Sequence, residues 1–183
     1  VTTGISLLNI YGGGNAGDVA KNTVITVNGA VTGNIFGGGK GNNAPVYGNT
    51  SLTSNSTVTG IIYGGGESGD IIGTASVNIN STVSGTVYGG GMGAESSVAS
   101  TVLNLSGANV TKNVYGGGNS GTVSGATYVN LINSAVGSGT YSSFDIESTG
   151  SVYGGGENAS VGSTNIVMKE NTSAHGVIGG GNM

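Results

Sequence analysis

Few residues in this chain could do chemistry, and their spacing restricts what that chemistry could be. Its 183 residues include one His, eight Asp and Glu, four Lys and no Cys. Without thiols there is neither a disulfide framework nor a thiolate metal site. Three stretches spell the glycine fingerprint of a dinucleotide-binding turn: Gly12, Gly14 and Gly17; Gly64, Gly66 and Gly69; Gly116, Gly118 and Gly121. That chemistry needs a helix N-terminus behind the glycines to hold a pyrophosphate. Strand-like sequence follows instead and the motif returns at a fixed interval, so these are repeat corners. Gly65-Gly66-Glu67-Ser68-Gly69-Asp70, and the run from Gly13 to Asp18, are similar to calcium-binding repeats. Those place G-G-x-G-x-D once in roughly nine residues, so that successive turns share ions. The order here is G-G-x-x-G-D at a much longer interval. No metal site is expected, with Glu67 and Asp70 as the weak candidate pair for an isolated calcium ion. General acid–base work needs acids converging on one face. Asp18, Asp70 and Asp145 fall in different repeat units, and His175 stands in a column otherwise mostly glycine (Gly33, Gly60, Gly85, Gly150). No catalytic residue and no cofactor are implied, and the chain reads as non-enzymatic.

The aromatic residues are far more regular. An aromatic followed by three glycines recurs at Tyr11, Phe36, Tyr63, Tyr88, Tyr115 and Tyr153, and Ile178 takes the same place last. Successive spacings are 25, 27, 25, 27, 38 and 25 residues. A fixed interval of about 20–50 residues marks a solenoid, propeller or array, and a propeller blade needs about 40 residues. The residue before each aromatic is always β-branched, from Ile10 to Val177. A second apolar column (Val31, Val58, Val83, Val110) precedes it and is broken by Ser173; a third (Val19, Val46, Ile71, Val98, Val123, Val161) follows the glycines. Alternating pairs complete each unit: Ile25/Val27, Val77/Ile79, Leu103/Leu105, Val129/Leu131 and Ile166/Met168. Alternation with period two argues strand, and no apolar series sustains a helical period. Each unit thus offers three short strands: near the aromatic, around the post-glycine Val, and at the alternating pair. The expected fold is all-β, a right-handed parallel β-helix (β-solenoid) of about six to seven coils, in one domain over 1–183. The extra residues of the longer units fall in the turn after the glycines, and those of the fifth unit form an insertion near 137–150.

Composition acquires a reason in this frame. Glycine supplies 40 residues and charged residues only 7% of the chain, against about 25% in an ordinary domain. In stacked coils a repeated charge would face its own like, so Ser, Thr and Asn ladders are expected in its place. The column Thr32, Thr59, Ser84, Thr111 and Thr149 is one candidate. The glycines are expected to supply positive φ at tight corners. Lys21, Lys40, Lys112 and Lys169 are scattered, which argues against a nucleic-acid partner. Apolar runs of about three residues fall far below the ~18 needed for a membrane-spanning helix, so no membrane insertion is expected. The chain begins at Val1 and both ends fall inside repeat units. That pattern suits a processed or excised piece of a longer array, or a subunit that stacks end to end.

The stretches from Gly33-Asn34-Ile35-Phe36 to Gly39 and from Lys112-Asn113-Val114-Tyr115 to Gly118 resemble the glycine-rich β-helix repeats of bacterial cell-surface and adhesin-like proteins. The resemblance covers the chain apart from the insertion. It implies an extracellular, bacterial cell-surface setting and a structural or adhesive role as a stalk or fibre subunit. Expected partners are further copies of the chain or other surface proteins. The alternative is a carbohydrate-binding module. If Val114 points inward, alternation turns Tyr115 outward, and Tyr11, Phe36, Tyr63, Tyr88, Tyr115 and Tyr153 become a platform for sugar rings. The competing reading stacks the rings over the coil corner as structure. A second candidate contact is the insertion, with Tyr141, Phe144, Asp145 and Glu147. Ice binding is a third reading, although Thr32 and Thr59 are paired with Asn34 and Ile61 rather than with further threonines.

Overall fold

The computed structural model describes residues 7–137 and 149–182, and these contain no helix. The chain winds as a β-solenoid of about six turns, with three parallel sheets running along it. Successive coils add their strands to each sheet in chain order. Like therefore stacks on like: Ile35 on Ile62 and Phe36 on Tyr63, through to Val152 on Val177 and Tyr153 on Ile178.

The aromatic sheet holds seven strands among the described residues, from Ile10–Tyr11 to Gly176–Ile178. The long-strand sheet holds six, from Thr23–Val27 to Val161–Lys169. The third sheet pairs Thr82–Val83, Asn109–Val110, Ala135–Val136 and Ser173–Ala174, and single bridges through Val58 and Val31 carry it to Leu7.

The three-strand count holds, but the boundaries differ from those expected. The post-glycine column and the alternating pair merge into one strand in later coils, as in Val98–Ser106, with a register shift between them. The segment before the glycines divides instead, as Thr82–Val83 and Val87–Tyr88. The second apolar column also continues where Ser173 was expected to break it, because Val136 pairs with Ala174. Val136 pairs in register with Val110 and Ser151 with Gly176, so the fifth-unit insertion lies between intact strands. Tyr141, Phe144, Asp145 and Glu147 lie outside the described residues.

Alternation divides the buried side chains into three compartments. The central core stacks Ile35, Ile62, Val87, Val114 and Val152 against the Leu52, Val77, Leu103, Val129 column and the Val31, Val58, Val83, Val110 column. Full burial of each such side chain contributes about 1.5–3 kcal/mol relative to exposure. A second compartment holds the aromatics, and a third the post-glycine residues Val46, Ile71, Val98 and Val123. Between them runs a buried column that the sequence pattern did not mark as polar. Thr23, Thr50 and Thr101 donate their hydroxyls to the carbonyls of Gly37, Gly64 and Gly116, at 2.8, 2.7 and 2.6 Å. Each bond ties the long-strand sheet to the first glycine of a neighbouring triplet.

The triplet glycines do a different job from the one expected. Positive φ among the described glycines occurs only at Gly107, Gly137 and Gly150. A Cβ on Gly37, Gly64 or Gly89 would instead run into the carbonyl oxygen of the corresponding glycine in the next coil. Successive corners therefore stack backbone on backbone, and the requirement is for space rather than for left-handed conformation.

Side-chain ladders do form, on asparagines more than on the Thr32 column. Asn55 donates to Asn28 and Asn80 to Asn55, each at 2.9 Å. Asn104 and Asn130 continue a second ladder from Asn78 at the same distance.

Candidate functional site

Each ladder aromatic follows a β-branched residue on a two-residue strand, so the pair points to opposite sides. Val114 enters the central core and Tyr115 the aromatic compartment. The far side of the strand is not solvent, however. Beyond the glycines, Glu67, Met92, Asn119 and Glu157, each four places after an aromatic, lie against the rings. Tyr115 is only 1% exposed and Tyr63 only 4%. Alternation was right about direction, and the structural reading of the rings describes their surroundings.

Six rings form one stack. Tyr11, Phe36, Tyr63, Tyr88, Tyr115 and Tyr153 lie with successive centroids 4.9, 4.9, 5.0, 5.1 and 4.6 Å apart and planes within 8° of parallel. These separations match the spacing of adjacent strands, about 4.7–4.9 Å, so strand pairing sets them. Both faces of each interior ring are covered by its neighbours, which leaves no face there for a sugar.

The hydroxyl ends meet a polar seam. Tyr88 donates to a carboxylate oxygen of Glu157, two coils further on, and Tyr11 donates likewise to Glu67. Asn119 Nδ2 donates to Glu157 at 2.6 Å and to the Tyr88 hydroxyl at 3.3 Å. Asn113 Nδ2 donates to the Tyr115 hydroxyl at 3.3 Å. Glu157 and Asn119 were not singled out from the sequence. The available signal was the column four residues after each aromatic position (Asn15, Lys40, Glu67, Met92, Asn119, Glu157, Asn182), which is polar or charged in all units but one.

Burial above all raises the phenols of Tyr11, Tyr63, Tyr88 and Tyr115. Tyr63 is pushed up to about 12 by burial and then by the Glu157 charge. Tyr11 also reaches about 12, through burial and its bond to Glu67. Tyr88 rises further, through burial and its bond to Glu157, and Tyr115 is raised by burial. A phenol held this high stays protonated near neutral pH and cannot act there as a base. The seam is suited to holding coils together.

The remaining candidates are dispersed. Asp70 accepts from the Ser97 N–H and hydroxyl, while Glu67 is engaged by Tyr11, so the pair is not gathered around a cation. No group of three or more His, Asp or Glu that could hold a metal occurs among the described residues. The fingerprint glycines are followed by strands such as Ile71–Ile79 and Val123–Ile132, which offer no helix terminus for a phosphate. His175 is half-buried, with its backbone N–H donating to the Gly150 carbonyl at 2.8 Å. No family model, no curated protein and no solved structure matches this chain.

Proposed function

We propose that this chain is a non-enzymatic structural or adhesive rod of the bacterial cell surface, working as a stalk or as a fibre subunit. The observation that carries this reading is the unbroken stack of six aromatic rings along the rod. Its main repeated columns are engaged in coil-to-coil contact: β-branched core, aromatic stack, glycine corner and asparagine ladder. Such a molecule resists bending and carries load or spacing along its length, because each coil contacts its neighbours in several parallel ladders. The surface setting and the further copies or other surface proteins as partners rest on the repeat resemblance.

Two measurements test it. Immunolabelling and protease shaving of intact source cells should remove the chain from the outside; a fully protected intracellular pool would overturn the surface assignment. Electron microscopy across a concentration series separates the two forms of the rod. Filaments one rod wide support the fibre subunit, and single short rods at all concentrations leave the stalk.

A further inference from the structure

The repeat builds one acidic corner twice, two units apart, and the two copies differ in a way that frees a carboxylate. In the later copy, Asp70 precedes Ile71, and Ile71 pairs with Val98 of the next coil. Asp70 Oδ1 there accepts from Ser97 N at 2.8 Å and from Ser97 Oγ at 2.6 Å. In the earlier copy, Asp18 precedes Val19, and Val19 pairs with Val46. The backbones correspond: Val19 N donates to the Pro45 carbonyl at 2.9 Å, as Ile71 N donates to the Ser97 carbonyl at 2.8 Å. The turns correspond as well, with Ala44 N bonded to Gly41 O at 3.0 Å and Ser96 N to Gly93 O at 2.9 Å.

Pro45, the one proline of the chain, thus stands where the later copy has Ser97. Proline has neither an N–H nor a hydroxyl to offer. Asp18 accordingly makes no side-chain hydrogen bond to any described residue. Three further differences gather around it. Asn42 and Asn43 occupy the turn where the later copy has Ala94 and Glu95, and Tyr47 replaces Ala99. Asn42 and Asn43 take no part in the asparagine ladders that engage so many others on this rod. Tyr47 is 55% exposed, unlike the ladder rings. Asp18, Asn42, Asn43, Pro45 and Tyr47 together line an open depression of about 360 Å³.

We propose that this depression binds a neutral pyranose of a glycan. A sugar ring has an apolar C–H face and a rim of hydroxyls. An exposed aromatic matches the face, as Tyr47 can. A carboxylate accepts two hydroxyl protons, and side-chain amides both donate and accept. The Asp18 charge disfavours acidic sugars, which selects neutral hexoses and N-acetylhexosamines. The site is separate from the aromatic stack and does not depend on the rod's mechanical role.

The test is a glycan array probed with the whole chain, followed by titration with methyl glycosides of glucose, galactose, mannose and N-acetylglucosamine. Binding of at least one neutral sugar is expected, weakened about tenfold or more by Tyr47→Ala and by Asp18→Asn. Pro45→Ser is the sharper variant. It restores both donors of Ser97, so Asp18 is captured within the protein and binding falls while the melting temperature holds or rises. Tyr128→Ala removes another exposed aromatic, 44% exposed on the long-strand sheet, and should bind as the parent does. Silence towards neutral glycans, preference for acidic ones, undiminished binding by Pro45→Ser, or an equal loss in Tyr128→Ala would each overturn the site. None of these outcomes bears on the rod itself.

Discussion

Glycine at the corner of each coil is an answer to crowding, and three positions separate the roles that one residue type plays here. Gly89 lies where a Cβ would meet the Gly116 carbonyl and the Thr101 side chain. Neither is free to move, so Gly89→Ala should destabilise the rod by about 3 kcal/mol or more in urea denaturation. Gly107 has open space but φ +61°, and alanine there should cost about 1–2 kcal/mol. Gly17 has open space and no left-handed constraint; Gly17→Ala should be neutral or gain up to about 1 kcal/mol. Equal losses at all three would refute the crowding account. The ladder phenols permit a second prediction at this scale. A phenol near 10 in the unfolded chain and about 12 when folded, as at Tyr63, holds its proton more tightly in the folded state. Its contribution is complete below pH about 10 and is lost as pH rises towards about 12, because the unfolded state releases its proton first. Tyrosinate absorbance of the folded rod should therefore lag behind that of the urea-unfolded chain, and stability should fall across that window. Coincident titration curves would contradict the burial of the stack.

At the scale of the element, the two-residue strand bearing each aromatic has too little length to hold itself. Ring stacking and the corner below it do that work. Phe36 occupies the stack without a hydroxyl, 4.9 Å from both neighbours, which shows that the ring rather than the phenol is the common requirement. Tyr115→Phe should therefore cost about 1 kcal/mol, the loss of the hydroxyl that accepts from Asn113. Tyr115→Ala removes a buried ring between two others and should cost about 3–5 kcal/mol. A calorimetric comparison of the two variants separates packing from hydrogen bonding, and similar losses would assign the stability to the polar seam instead. The strand itself was legible in the sequence, because Val114 and Tyr115 recur at a fixed phase. Its cover was not, since Asn119 and Glu157 reach Tyr88 from one and two coils away.

Across the whole molecule, stability accumulates coil by coil, and each coil depends on its neighbours. Amide exchange should accordingly be slowest in the central strands Val98–Ser106 and Val123–Ile132. It should be faster in Thr23–Val27 and Val161–Lys169, each with one neighbour in its sheet among the described residues. Uniform protection would mean that the solenoid opens as a single unit. The sequence by itself determined the period, the strand-forming columns and the stacking of like on like, because a solenoid repeats its neighbours at the interval of its own pattern. Only the tertiary structure decided what lies outside each strand. The course of the chain beyond the glycines carries no side-chain signal, yet it sets whether an aromatic meets water or the next segment. The same holds for Asp18 and Asp70, which occupy equivalent places in sequence. Asp70 is bound, and Asp18 makes no side-chain hydrogen bond among the described residues, because the residue one coil away is serine in one case and proline in the other, and that adjacency exists only once the coils are stacked.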